Sequence, residues 1–298
     1  MTGRRPGPRW WLARFALAIS VGLALAVVID LARGGVTAIW LRYLGAAAYV
    51  AQGQQIEIRA GHALYIDCRG EGSPTLVLEA GMGADSATWS PVLDDLAAIT
   101  RTCVYDRTGR GRSDDGSAGD LAGMSSELSA LLASAGERGP YVLVGHSLGT
   151  VIGRVHASLV PGEIVGLVLV DGFDPDLFDG RVLPLLGLLE GEYRGNTAEL
   201  WSQVASVEGI DVERSRAQPA AARVDGLLLE VLMAPRAEAR LDAAANEQIA
   251  AARAAGYEAL SPGNTTVTVA WGAGHMVQFD RPDLVVEAVR RIVTIARG

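Results

Sequence analysis

Ser147 stands in Gly145-His146-Ser147-Leu148-Gly149, a G-x-S-x-G pattern that follows the apolar run Tyr141-Val-Leu-Val144. A serine hydroxyl is a weak nucleophile until a neighbouring base takes its proton. On a sharp strand-to-helix turn the hydroxyl is presented to solvent, and the flanking glycines let backbone pass close by. The helix N-terminus behind it favours the negative charge that develops on an attacked carbonyl. The pentapeptide alone is weak, because 36 residues of the chain are Gly, and a Gly-rich turn with a capping serine is the bland alternative. A base must come from four histidines. His146 lies inside the pattern and must turn its side chain away from that of Ser147. His62 falls on an early strand, and His156 falls on the following helix, where a buried structural role suits it. His275 lies in Trp271-Gly-Ala-Gly-His275-Met, a Gly-rich turn just after a predicted strand. A histidine at the end of one parallel strand can meet a nucleophile at the end of another. The expected chemistry is therefore nucleophilic catalysis, with Ser147 as nucleophile and His275 as base.

Strands and helices in alternation are needed to bring these residues together. Gln55–Arg59 and His62–Cys68 alternate and read as strands. Pro74–Glu79, Tyr141–Gly145 and Ile164–Val170 are continuous apolar runs, as expected for strands buried on both faces. Thr102–Tyr105, Leu227–Met233 and Thr266–Trp271 complete the strands. Helical stretches are predicted over Ser90–Ile99, Ser126–Ala135 and Leu148–Leu159. This pattern implies the α/β class, a mostly parallel sheet with helices on both faces. Phe173 to Val224 breaks the alternation. It holds the apolar run Val182–Leu189 and a more polar helical stretch around Trp201.

Residues 54–298 resemble the α/β-hydrolase superfamily, in particular a bacterial branch with an N-terminal hydrophobic segment. The resemblance rests on Leu78-Glu-Ala-Gly81-Met82-Gly83, Tyr105-Asp-Arg-Thr-Gly109-Arg-Gly111-Arg-Ser113-Asp114, Gly145–Gly149, and Gly274-His275 with Asp280-Arg-Pro282, in that order. It implies an eight-stranded α/β-hydrolase fold with a helical cap over the site at about 173–224. It implies an oxyanion hole made by the backbone N–H groups of Met82 and Leu148, with Ala80 where many members have His. The Tyr105–Asp114 loop then reads as scaffold. The acid of a Ser-His-acid triad follows a strand either before or after the cap. Asp171 closes Leu167–Val170 and is the chosen acid, with Glu238 and Asp242 beyond the later strand as alternatives. The expected activity is hydrolysis of a carboxylic ester or related acyl bond through an acyl-enzyme. Acyl transfer, peptidase action or a catalytically silent tethered binding protein are the alternatives. The leucines of the cap suit an apolar small-molecule acyl substrate, or they simply pack the cap onto the core. The serine disfavours the epoxide-hydrolase and haloalkane-dehalogenase branches, which place Asp there.

Composition narrows the remaining classes. A net charge of −8 argues against a nucleic-acid partner, and no ligand spacing for a metal or cofactor appears. All 26 basic residues are Arg. A mean hydropathy of +0.23 is high for a soluble enzyme, and the N-terminus accounts for it. Residues 10–29 carry one charge, Arg14, and a helix of about 20 residues spans roughly 30 Å of hydrocarbon. Arg4, Arg5 and Arg9 precede this stretch and Arg14 sits near its start, so the positive-inside rule predicts a single-pass anchor with a cytoplasmic N-terminus and an extracytoplasmic enzyme. Residues 1–53 form the anchor and linker in this reading. The competing expectation is a signal peptide cleaved after Ala26 or Ala48. Cys68 and Cys103 fall on strands that the superfamily places side by side, so they either bridge or stand as two buried core thiols.

Overall fold

A computed structural model describes residues 49–172, 190–235 and 243–298. The chain divides into two compact units, residues 1–47 and 48–298, and the first lies outside the described residues, the expected span over 10–29 included. Among the described residues no helix is long and apolar enough to cross a membrane.

The second unit is an eight-stranded sheet in the order β1-β2-β4-β3-β5-β6-β7-β8. The strands are β1 Gln54–Arg59, β2 His62–Arg69, β3 Thr75–Glu79, β4 Thr102–Tyr105, β5 Tyr141–His146, β6 Ile164–Val170, β7 Leu228–Met233 and β8 Thr265–Val269. β2 pairs antiparallel with β1 and β4, and every other pairing is parallel. The central strands are the apolar runs of the sequence, since a parallel sheet covered on both faces leaves no solvated side. Cys68 and Cys103 are paired in register across β2 and β4 and joined in a disulfide.

The described helices are α1 Leu93–Ala97, α2 Leu121–Ser134, α3 Leu148–Leu159, α4 Glu190–Glu208, α5 Val212–Ala221, α6 Ala243–Glu258, α7 Val277–Asp280 and α8 Pro282–Ala296. One face of the sheet packs on Trp89, Leu93 and Leu96 and on Val285, Val289 and Ile292 of α8. The other packs on Leu128, Leu131 and Leu132 of α2. The predicted helix over Ser90–Ile99 is instead a 3₁₀ turn at Ser86–Trp89 followed by the short α1. Pro91, which has no N–H to donate, lies between them, and the backbone leaves helical geometry at Val92, with φ −121° and ψ −12°. α2 starts five residues before its predicted position, where the Asp120 side chain caps the Gly123 N–H at 2.8 Å.

α4 and α5 occupy the insertion between β6 and β7. Trp201 and Val204 of α4 are buried against Leu148, Val151, Ile152 and Val155 of α3. The insertion is thus seated on the helix that follows Ser147. Residues 173–189, with the expected apolar run 182–189, lie outside the described residues.

Candidate active site

β5 ends at His146 and α3 begins at Leu148, so the reversal between them falls on Ser147, at φ 52° and ψ −119°. A non-glycine residue held at positive φ is strained, and the surroundings must impose it. Here close packing does so. A Cβ at Gly145 would lie 2.5 Å from the Gly149 carbonyl oxygen, and one at Gly149 would lie 2.3 Å from that of Glu79. The Ser147 N–H donates to the Val170 carbonyl at 3.1 Å, which ties the turn to the end of β6.

Asp171 follows Val170 directly, with φ 37°. Its N–H donates to the Leu232 carbonyl at 2.7 Å. Its side chain is sealed from solvent. Oδ2 lies 2.7 Å from Nδ1 of His275, and Oδ1 accepts from the Ala234 N–H at 3.1 Å and from Arg253 Nη2 at 3.2 Å. An ionised carboxylate only accepts, so the network assigns the hydrogen to Nδ1 and leaves the lone pair on Nε2. The His275 side chain keeps 36% of its surface exposed, within reach of a ligand, while that of Asp171 keeps none.

The turn that carries His275 is held at both ends. Asp280 Oδ2 accepts the Gly274 N–H at 2.8 Å. His146 Nε2 donates to the His275 carbonyl at 2.9 Å, and the two imidazole rings lie 4.7 Å apart. The residue before the serine therefore anchors the backbone of the histidine. The loop after β3 packs against the Ser147 turn: a Cβ at Gly81 would come within 3.0 Å of His146 Nδ1 and 3.4 Å of Ser147 Cβ. Met82 is next in that loop. Leu148 opens α3, where first-turn N–H groups have no carbonyl one turn back to bond.

Sequence reading missed a buried ionic cluster beneath this loop. Arg107 Nη1 is 2.6 Å from Glu79 Oε1, and Arg107 Nη2 is 2.9 Å from Glu208 Oε1. Tyr105 donates its hydroxyl to Glu79 Oε2. Burial pushes the Glu79 carboxyl above its ordinary range, although Arg107 opposes this. Burial acts on Glu208 in the same direction, but there the Arg107 charge and hydrogen bonds outweigh it and hold the carboxyl below its ordinary range. Glu79 and Arg107 lie in the quoted motifs. Nothing local marks Glu208, which meets Arg107 across 101 positions of sequence.

Glu238 and Asp242 lie outside the described residues. Among the described residues one group has the spacing of metal ligands, Cys68, Cys103 and Glu137, and the disulfide ties up both of its sulfurs.

A model of the alpha/beta hydrolase family matches residues 76–288. The chain is 38% identical over 104 residues to the uncharacterized protein YqjL of Bacillus subtilis (strain 168), covering 35% of this chain and 41% of that one. It is 34% identical over 111 residues to a protein provisionally named carbamate hydrolase RutD from Azorhizobium caulinodans, covering 37% of this chain and 41% of that one. The matches thus span about two fifths of these relatives' own length. A thermophilic esterase from Thermogutta terrifontis superposes with a TM-score of 0.55 at 21% identity, covering 83% of this chain and 100% of that one. At that identity the likeness speaks for the fold. Because the family model spans most of the sheet and the site at its edge, the protein is a member of the alpha/beta hydrolase family.

Proposed function

We propose that the protein is a serine hydrolase that cleaves a carboxylic ester or related acyl bond of a small, apolar substrate. Ser147 Oγ attacks the acyl carbonyl while His275 Nε2 takes its proton, and the oxyanion rests on the Met82 and Leu148 amides. The leaving alcohol takes the proton back from His275. Water, deprotonated by the same nitrogen, then releases the acid and restores Ser147. Asp171 holds the imidazole in the tautomer this needs and stabilises its cation. The observation that carries the reading is the 2.7 Å contact of His275 Nδ1 with the sealed carboxylate of Asp171, reached from the strand beside the Ser147 turn. The names of the similar proteins agree in kind, since esters and carbamates both present an acyl carbonyl.

The test is covalent labelling with a fluorophosphonate. Wild type is expected to label and Ser147→Ala is expected not to. A folded wild-type protein that does not label would refute the proposal. A chain-length series of p-nitrophenyl esters then ranks the acyl groups, with a preference for apolar chains expected.

We also propose that residues 10–29 anchor the enzyme in a membrane and place the catalytic domain on the extracytoplasmic side. The disulfide between Cys68 and Cys103 supports export, because such bridges form and persist in oxidising compartments.

A further inference from the structure

Arg107 lies in the loop that sequence reading treats as scaffold, yet its guanidinium reaches the loop after β3. Nη1 donates to the Ala80 carbonyl at 2.8 Å and Nη2 to the Gly81 carbonyl at 2.8 Å. The same two nitrogens hold Glu79 and Glu208, and Nε adds a 3.2 Å bond to Glu208 Oε2. Glu208 Oε1 also accepts the Gly83 N–H at 2.7 Å. Three of the backbone groups flanking Met82 are therefore fastened by one cation and by the last residue of α4.

The Gly81 carbonyl and the Met82 N–H belong to a single planar trans peptide, so they point in opposite directions. Fixing that carbonyl on Arg107 fixes the direction of the Met82 N–H, away from the buried cation. A buried ion cluster is weak evidence for stability, because apolar side chains of similar volume often do as well. Apolar side chains could not hold a peptide plane. Arginine suits the task, since its rigid fork reaches two carbonyls and two carboxylates at once.

We propose that Arg107 is a positioning residue for the Met82 oxyanion donor, and that Glu208 makes this seat depend on the insertion between β6 and β7. The inference rests on the hydrolase reading above. Glu208 is carried by α4, whose Trp201 and Val204 are seated on α3. The serine's helix and the oxyanion loop are thus braced by one and the same helix. In this arrangement Glu208 acts on the transition state through the loop and has little effect on ground-state binding.

The test compares Glu208→Ala and Glu208→Gln in the full chain, with rates normalised to active sites titrated by fluorophosphonate. Losing a preorganised oxyanion donor outright costs about 10²–10³ in kcat, so Glu208→Ala, which loosens one, is expected to lose about 10- to 100-fold with KM little changed. Affinity for a boronic acid, which forms a tetrahedral adduct on the serine, should fall by the same factor. Glu208→Gln retains an acceptor for the Gly83 N–H and should recover much of the loss. A merely structural role would lower Tm and the fraction of active sites, and leave per-site kcat and boronate affinity unmoved. That result would overturn the inference while the hydrolase reading stood. A wild type that neither labels nor hydrolyses esters would instead remove the hydrolase reading, and this inference with it. If Glu208→Ala does not fold, Arg107→Lys carries the test. Lysine keeps the charge but cannot bridge both carbonyls, so the same kcat loss is expected, and unchanged per-site kcat would refute the proposal.

Discussion

Asp171 divides its two oxygens between different partners, and that division predicts what an amide would do in its place. Oδ1 faces the donors Ala234 N–H and Arg253, and Oδ2 faces His275 Nδ1. In Asp171→Asn the amide oxygen must turn to the two donors, which leaves the NH₂ pointing at Nδ1. Nδ1 then accepts, the ring hydrogen moves to Nε2, and His275 can no longer take a proton from Ser147. The expected loss is about 10³- to 10⁴-fold in kcat, with KM nearly unchanged and the protein still folded. Single-turnover kinetics alongside a thermal melt check this, and a loss below about tenfold would remove Asp171 from the role proposed for it. The residues differ in how far their sequence announces them. Ser147 and His275 sit in short Gly-containing patterns at the ends of legible strands, so pattern and position together point to them. Asp171 shows only as an acid at the end of an apolar strand. Arg253 and Glu208 carry no local signal, because their partners come from distant parts of the chain and meet them only through the topology.

Between elements, the packing of α3 on α2 contains a second titratable group, separate from the chemistry. His156 of α3 is buried, with Nδ1 2.8 Å from Ser125 Oγ of α2. Burial pushes its pKa down from 6.5 to about 4. Between those values the unfolded chain binds a proton that the folded chain does not, so stability is present above pH 6.5 and is lost as pH falls toward 4. The shift corresponds to about 3 kcal/mol across the window. His156→Gln keeps a partner for Ser125 but cannot charge. Its Tm should fall less than that of wild type between pH 7 and pH 4.5, by roughly 5 °C, and parallel slopes in the two proteins would show that His156 does not set the acid limit. At this scale the strands were legible, because short apolar runs rich in β-branched residues, such as Ile164–Val170, suit strands buried on both faces of a parallel sheet. Helix boundaries were less so. The helix predicted from Ser90 forms only beyond Pro91, from Leu93, and the Asp120 cap lengthened another, both local effects that apolar periodicity does not register.

The net charge of the whole chain averages two unlike parts. Residues 1–53 hold six Arg and one Asp, and the remaining residues hold twenty Arg and thirty-three acids, so a charge of +5 stands beside one of −13. The proposed targeting role accounts for this split: Arg4, Arg5 and Arg9 ahead of the 10–29 stretch, with Arg14 near its start, are what the positive-inside rule would read as a cytoplasmic end. The disulfide between Cys68 and Cys103, in the second unit, supports the proposed export independently. These two observations share no residues, so they can be tested together and can disagree. Fused at the C-terminus, alkaline phosphatase should be active and green fluorescent protein dark, since each matures on only one side of the membrane. The full chain should stay with membranes through alkaline carbonate extraction, and its two cysteines should resist alkylation until reduced. A soluble product beginning just after Ala26 or Ala48 would replace the anchor by a cleaved signal and keep the export. A fluorescent fusion together with freely alkylated cysteines would place the enzyme on the cytoplasmic side, and the leader would then need another explanation than export.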